Sequence, residues 1–562
     1  MNSISRKLKS VGIRRFSGNI ALAVVCMVIL TTLDFAYSQF FNANYTFNAS
    51  ALLKSGYWIT FAVLFIATFS VGTLFWSILT ATFALSLIQF ANFEYFGSYV
   101  LPIHFLQLIP DFLLIMSSLA EVAGEMFPIL ALAGILVFLA FMVIAPLARR
   151  RMIYPRSAIL VIALLAGDMA GNYLYISSNR GKLGEPAFKA LYPDINNLAI
   201  HNIYKSARYL AVGILPDRLA GRTTTHPPLP APVSIATPDA NIILIINESV
   251  RAESLSILGY KLETTPRLSE VKGLYATSIY SAGTMTRTSF AGLINRLKYP
   301  GLGEQFISQS NCLFRLAKKN GFTTHFFYAQ GKGREAADTL LPLMCSNYID
   351  SVKVRSDAPE EFRVFDESLA YHLRNVDFSK PNFIVIGPNG GHSPYAEKSP
   401  AEFKSFPDEY DNAIHYTDHV VADLIQVIQD QSSKPTFVIM TSDHGEILKG
   451  EDKKRGHGWL KGKVVIVPFL FLPVNDPDKD KTMAEVAKVQ SHFDIATLVM
   501  GLLGYDEKVQ DGADKEIFIN GSDLSGLAGQ MRLHIVDSKV QSADLMNSVE
   551  EAPTLEELSL RH

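Results

Sequence analysis

Hydrophobicity is divided unevenly along these 562 residues, and that division limits the fold more than any other feature. Residues 19–177 are mostly uncharged, whereas residues 178–562 have the mixed composition of a soluble domain. Five apolar stretches, at about 19–38, 57–75, 77–93, 127–147 and 157–176, reach or approach the ~20 helical residues that cross a bilayer core. A cleaved leader is the alternative for the first stretch, but no small-residue cleavage site follows it and further apolar runs do. Between the third and fourth lies EYFGSYVLPIHFLQLIPDFLLIMSSLAEV, apolar enough to rest at the interface as an amphipathic helix. A sixth span there would invert the topology.

Basic residues set the orientation. Arg6, Lys7, Lys9, Arg14 and Arg15 precede the first stretch, and Arg149, Arg150, Arg151 and Arg156 separate the fourth from the fifth. The loop at 39–56 offers Lys54 alone. With five crossings both clusters fall on one side, which the positive-inside rule makes cytoplasmic. Everything after residue 177 is then expected outside.

The remaining chain divides further. Residues 178–240 read as a bridge: 185–214 has helical spacing of apolar residues, and RTTTHPPLPAPVSIATPDA at 222–240 is too proline-rich to be helical. A globular domain is expected over 241–540, with an acidic, solvated tail at 541–562. In the globular part, NIILIIN, LYATSIY, TTHFFYA, NFIVIG, TFVIMT and VVIVPFLFL read as strands. CLFRLAKKNG and YDNAIHYTDHVVADLIQVIQD read as helices between them. Continuously apolar strands alternating with helices imply an α/β domain whose mainly parallel sheet is covered by helices on both faces. The net charge of −2 gives no argument for a nucleic-acid partner. Cys312 and Cys345 are the two cysteines of this part: a bridge is open to them outside the cytoplasm, free thiols within it.

Three of the strands run into chemistry. NIILIIN ends at Asn247 and Glu248, NFIVIG leads to His392, and TFVIMTS leads to Asp443, His444, Gly445 and Glu446. Ligands collect at the carboxyl ends of parallel strands, and carboxylate with imidazole is a donor set that suits zinc. Taken singly, each residue has a plain structural explanation; their joint occurrence points to a metal centre. The segment Ser281-Ala-Gly-Thr-Met-Thr-Arg-Thr-Ser289 follows another strand and enters a helical pattern, so Thr284, Thr286, Thr288 and Ser289 cluster at a helix start. Such a position serves as an ordinary cap or as a phosphate site. Beside a metal, one of these hydroxyls becomes a nucleophile. His457, in RGHGWLKGK, is placed to hold a phosphate oxygen or protonate a leaving group, with Lys461 and Lys463 as nearby cations.

These motifs resemble those of the phosphoethanolamine transferases, including lipid A modifying and mobile colistin-resistance enzymes, in the alkaline phosphatase and sulfatase superfamily. The resemblance extends over five spans, a bridge and a periplasmic hydrolase-like domain. It matches the family's metal-binding Glu to Glu248, its threonine nucleophile to Thr286, and the remaining zinc ligands to Asp443 and His444. His392 and His457 match histidines that handle the phosphate or a second metal, and Tyr410–Asp418 is a further match. It implies zinc, one ion with room for a second, and phosphatidylethanolamine as donor. It also implies a lipid A, lipopolysaccharide core or glucan acceptor, and a multi-pass bacterial inner-membrane protein working in the periplasm. Ala282 and Leu293 stand where lipid A enzymes carry cysteines, and no Asn-x-x-x-Glu-Thr pattern occurs near the membrane, departures that bear on the acceptor. A glycerol-phosphate polymerase resembling lipoteichoic acid synthase, or a non-catalytic anchored module, shares much of this plan. A sulfatase does not, because Thr284-Met285-Thr286-Arg287 offers no formylglycine precursor.

Overall fold

The structure, a computed structural model, describes residues 155–178, 199–216, 229–300, 309–330, 334–452, 454–511, 514–522, 529–546 and 552–560, with isolated positions elsewhere. It divides into two compact units, Met1–Ala220 and Gly221–His562.

In the first unit, the stretch expected to be the fifth span lies within helix α1 (Pro155–Ser178), which starts on a proline suited to a first turn. Asp168 sits inside it, accepting a hydrogen bond from the Tyr204 hydroxyl and lying 3.7 Å from Arg208. Both partners belong to α2 (Ala199–Tyr209), which realises part of the helix expected over 185–214. Among the described residues no helix is long and apolar enough to cross a membrane. The four spans expected earlier in the chain, and the interfacial segment, lie outside the described residues apart from scattered helical positions.

The second unit is built on a seven-stranded sheet. Its strands are β1 (Asn241–Asn247), β2 (Tyr275–Tyr280), β3 (Thr323–Tyr328), β4 (Ser351–Val354), β5 (Asn382–Gly387), β6 (Thr436–Ser442) and β7 (Ile466–Val474), in the order β2-β7-β6-β1-β5-β3-β4. Five strands pair in parallel, and β7 runs antiparallel between β6 and β2. All seven residues of β1 are buried because both sides of the sheet are covered. Ile242, Leu244 and Ile246 share a core with helices α3 (Thr286–Ile294), α4 (Leu313–Lys319) and α7 (His492–Leu502). Ile243 and Ile245 pack against α5 (Glu367–Arg374) and α6 (Glu409–Gln431) on the other side. Each such side chain contributes about 1.5–3 kcal/mol of burial, which is why the five positions between Asn241 and Asn247 are all apolar.

Beyond this core the chain departs from expectation. A second, antiparallel sheet forms from β8 (Asp514–Asn520), β9 (Gln530–Val536) and β10 (Lys539–Met546). Where a solvated tail was expected from 541, β10 continues to Met546, and Leu558 is fully buried with its carbonyl accepting from Tyr280 Oη. The end of the proline-rich linker is also held: Ile235 N and Ala236 N both donate to Gly504 O. Cys312, just before α4, and Cys345 are disulfide-bonded, with Cα atoms 6.7 Å apart.

Candidate active site

The carboxyl ends of β1, β6, β5 and β3 open on one edge of the sheet, and the sequence-predicted residues meet there. Glu248 follows β1 directly and Asp443 follows β6, two strands that lie side by side. Glu248, Asp443 and His444 are all buried, and one donor atom from each lies within 4.8 Å of the others. Thr286, the first residue of α3, places Oγ1 3.1 Å from Glu248 Oε2 and 3.4 Å from His444 Nε2. The four residues expected to share an ion therefore converge.

Side-chain chemistry fits a cation. His444 Nδ1–H donates to Gly445 O at 2.9 Å, which leaves the Nε2 lone pair facing Glu248 and Asp443 at 3.6 and 3.4 Å. Asp443 Oδ1 accepts from Ser249 N and His444 N, while its buried Oδ2 has no hydrogen-bond partner among the described residues. An orphaned carboxylate oxygen in the interior calls for a positive charge. The electrostatics agree. Burial pushes the Glu248 carboxyl up, but the imidazoles of His392, His444 and His457 outweigh it and hold it at about 2. Burial, and then the Glu248 charge, push Asp443 well above the usual carboxylate range. Burial and the neighbouring His457 lower His444 to about 4, keeping it neutral as a ligand requires.

The hydroxyl cluster is sorted by its hydrogen bonds. Thr288 Oγ1 donates to Met285 O and Ser289 Oγ to Gly283 O, so both serve the helix start. Thr284 is fully buried. Thr286 Oγ1 is the hydroxyl that meets the Glu248 carboxylate and the His444 imidazole. The loop holding it is pinned from both sides: Asn520 N donates to Ala282 O, and Gly458 N to Thr284 O. That second bond also brings His457 to the site, its ring centroid 4.4 Å from that of His444 and 6.1 Å from that of His392. His457 Nδ1 lies 3.2 Å from Glu446 Oε2. Burial opposes charging of His457, yet Glu446 lifts its pKa above the ordinary value. Burial lowers that of His392. Lys463 instead pairs with Glu451 and Glu253.

Two glycines owe their place to close approach. A Cβ on Gly445 would stand 2.2 Å from Lys463 O, so close packing requires the glycine. A Cβ on Gly391 would stand 3.1 Å from both Glu248 O and Ser249 O. Sequence reasoning missed Gln330, just past β3, whose side-chain amide donates to Glu248 Oε2. It also missed Ser249, whose Oγ donates to Glu248 Oε1 at 2.8 Å. A polar residue two positions past an apolar strand was the available signal for both.

The family model described as Sulfatase matches residues 240–505. The chain is similar to the Kdo(2)-lipid A phosphoethanolamine 7''-transferase of Escherichia coli (strain K12), 23% identical over 306 residues that make up 48% of this chain and 52% of that protein. It is 25% identical over 267 residues to the phosphoethanolamine transferase EptA of Helicobacter pylori, 43% of this chain and 49% of that one. The chain thus spans about half the length of the curated relatives it matches. Among solved structures it resembles the integral membrane protein lipooligosaccharide phosphoethanolamine transferase A (EptA) from Neisseria meningitidis. The TM-score is 0.56 at 15% identity, over 87% of this chain and 96% of that one, a likeness of fold.

Proposed function

We propose that this chain, whose residues 240–505 match the Sulfatase family model and which is similar to phosphoethanolamine transferases of the EptA type, moves phosphoethanolamine from phosphatidylethanolamine to an envelope acceptor. Lipid A, the lipopolysaccharide core and a glucan are the acceptor classes. The observation that carries this reading is the Thr286 hydroxyl, presented by the first turn of a helix to Glu248 and His444 and backed by Asp443.

Glu248, Asp443, His444 and Thr286 would hold a zinc ion. When bound, it supplies Lewis acidity that favours the Thr286 alkoxide and offsets charge on the phosphoryl oxygens. Thr286 Oγ1, its proton given up to solvent beforehand, attacks phosphorus from its place 3.1 Å from Glu248 Oε2. The Oγ1–P bond forms as the bond from phosphorus to the diacylglycerol oxygen breaks. His457, oriented by Glu446, gives that oxygen its proton. The phosphoethanolamine now on Thr286 is then attacked by an acceptor hydroxyl or phosphate, deprotonated by the same imidazole, and Thr286 is restored. His392 binds a phosphoryl oxygen throughout. The N–H groups at the start of α3 favour the same anion.

We place the protein in the bacterial inner membrane, multi-pass, with residues 241–540 in the periplasm, where donor and acceptor lipids are at hand. The Cys312–Cys345 bond supports an oxidising compartment. The test uses the full-length protein with phosphatidylethanolamine labelled in its headgroup. Wild type should become labelled and pass the label on, whereas Thr286→Ala should do neither while still binding zinc. Unaltered turnover by Thr286→Ala moves the nucleophile elsewhere. Label taken from phosphatidylglycerol instead of phosphatidylethanolamine replaces the donor.

A further inference from the structure

The turn that presents Glu248 is strained, and a side chain from α6 holds it. Ser249 has φ of +57°, in the left-handed region that non-glycine residues seldom occupy. Strain of this kind persists where the surroundings over-determine it. Here Ser249 N donates to Asp443 Oδ1, Val250 N donates to Ser442 Oγ, and Gly391 N donates to Glu248 O. The remaining constraint is Tyr410. Its hydroxyl donates to Ser249 O at 2.7 Å and accepts from Arg251 N at 3.1 Å, so one oxygen closes the turn from Ser249 to Arg251. The direction is unambiguous, because an amide can only donate and a carbonyl can only accept.

Tyr410 is well fixed for that task. It is fully buried near the start of α6, its ring stands edge-on to Tyr395 at 5.1 Å, and the Arg251 guanidinium lies 5.3 Å from its centroid. Arg251 in turn bonds Glu451 and reaches Glu446 O, in the loop that follows Asp443 and His444. The same tyrosine therefore touches the segment carrying one metal donor and stacks on the arginine that ties down the segment after the other two.

We infer that Tyr410 is a positioning residue which sets the affinity of the centre for its cation, by pinning the 249–251 turn and with it the Glu248 carboxylate. This rests on the reading of Glu248, Asp443 and His444 as the metal centre. Partners outside the immediate ligands change metal affinity by 10–100-fold in typical cases. Tyr410→Phe removes one oxygen and keeps the ring, so its packing against Tyr395 and Arg251 survives.

The experiment measures zinc binding to full-length, metal-stripped protein by competition with a chromophoric chelator, alongside thermal unfolding with and without zinc. Tyr410→Phe should bind zinc with roughly tenfold or greater loss of affinity. Its gain in unfolding temperature on zinc addition should also be smaller than that of wild type. A merely structural tyrosine would lower both unfolding temperatures equally and leave affinity unchanged, and that outcome overturns the inference. Should Tyr410→Phe fail to fold, Gly391→Ala crowds the same Ser249 carbonyl and should weaken zinc similarly. A wild-type affinity in that folded variant likewise overturns it. If wild type takes up no zinc, the metal centre itself falls and the role of Tyr410 with it, a failure distinct from equal binding by both proteins.

Discussion

Asp443→Asn is expected to stabilise the metal-free protein while abolishing its response to zinc. Glu248 and Asp443 place ligand oxygens within 4.8 Å of each other, buried, with Asp443 Oδ2 lacking a hydrogen-bond partner among the described residues. Two like charges at that separation repel by about 3 kcal/mol at an effective dielectric of ~20. The substituted amide keeps the oxygen that accepts from Ser249 N and His444 N, and turns an N–H towards Glu248 where a charge had been. For a domain of this size ~3 kcal/mol corresponds to about 5 °C in the unfolding midpoint. The assay is intrinsic tryptophan fluorescence on heating, with chelator-treated full-length protein at pH 7.5. Zinc at a hundredfold excess over its Kd should then add about 2.7 kcal/mol to wild type and nothing to the variant. If the metal-free variant melts at or below wild type, the carboxylates do not strain the empty site and the electrostatic argument for a cation fails. An equal zinc shift in both proteins would remove Asp443 from the ligand set.

Away from the site, Asp418 on α6 accepts from Arg267 N and Leu268 N, and burial pushes its carboxyl up to about 6. A folded-state value above the unfolded ~3.9 means that the native protein binds the extra proton, so stability falls as pH rises from about 4 to 6. The difference in stability between wild type and Asp418→Asn should therefore shift by about 2 kcal/mol against wild type over that window, read from paired unfolding curves at pH 4 and 6.5. A pH-independent difference would contradict the burial argument. For the topology, an alkaline phosphatase reporter fused after His562 should be active in intact cells and a cytoplasm-dependent fluorescent reporter there should stay dark. The reverse pattern would put the catalytic unit on the cytoplasmic side.

The parts of the fold legible in the sequence were those where one physical demand governs a whole segment. β1, β5 and β6 are covered on both faces, so each is continuously apolar and its polar terminus stands out. β7 is equally apolar, but nothing in such a run states its direction, and it proves antiparallel. β4 is four residues long with Lys353 exposed at the sheet edge, too short and too polar to register as a strand. β9 alternates buried and half-buried residues, β10 buries none of its residues, and the acidic residues that follow suggested a solvated tail. There Leu558 decides the outcome, since one buried leucine holds a segment that charge alone would release.

The site follows the same logic at a smaller scale. Glu248, Asp443 and His444 were readable because a strand end fixes where a residue points and the residue type fixes what it can bind. Thr286 was readable as one of four hydroxyls, and hydrogen bonding separates it from Thr288 and Ser289, which close the helix start. Gln330, Ser249 and Tyr410 act on Glu248 from just past β3, from the strand's own turn and from a helix residue 161 positions beyond Ser249, and local pattern marks polar residues without showing what they touch. What a ligand can bind is written beside it, whereas how firmly it is held depends on neighbours that only the folded sheet supplies. Substitutions in the second group should therefore change affinity and rate by degrees, while those in the first abolish binding or turnover outright.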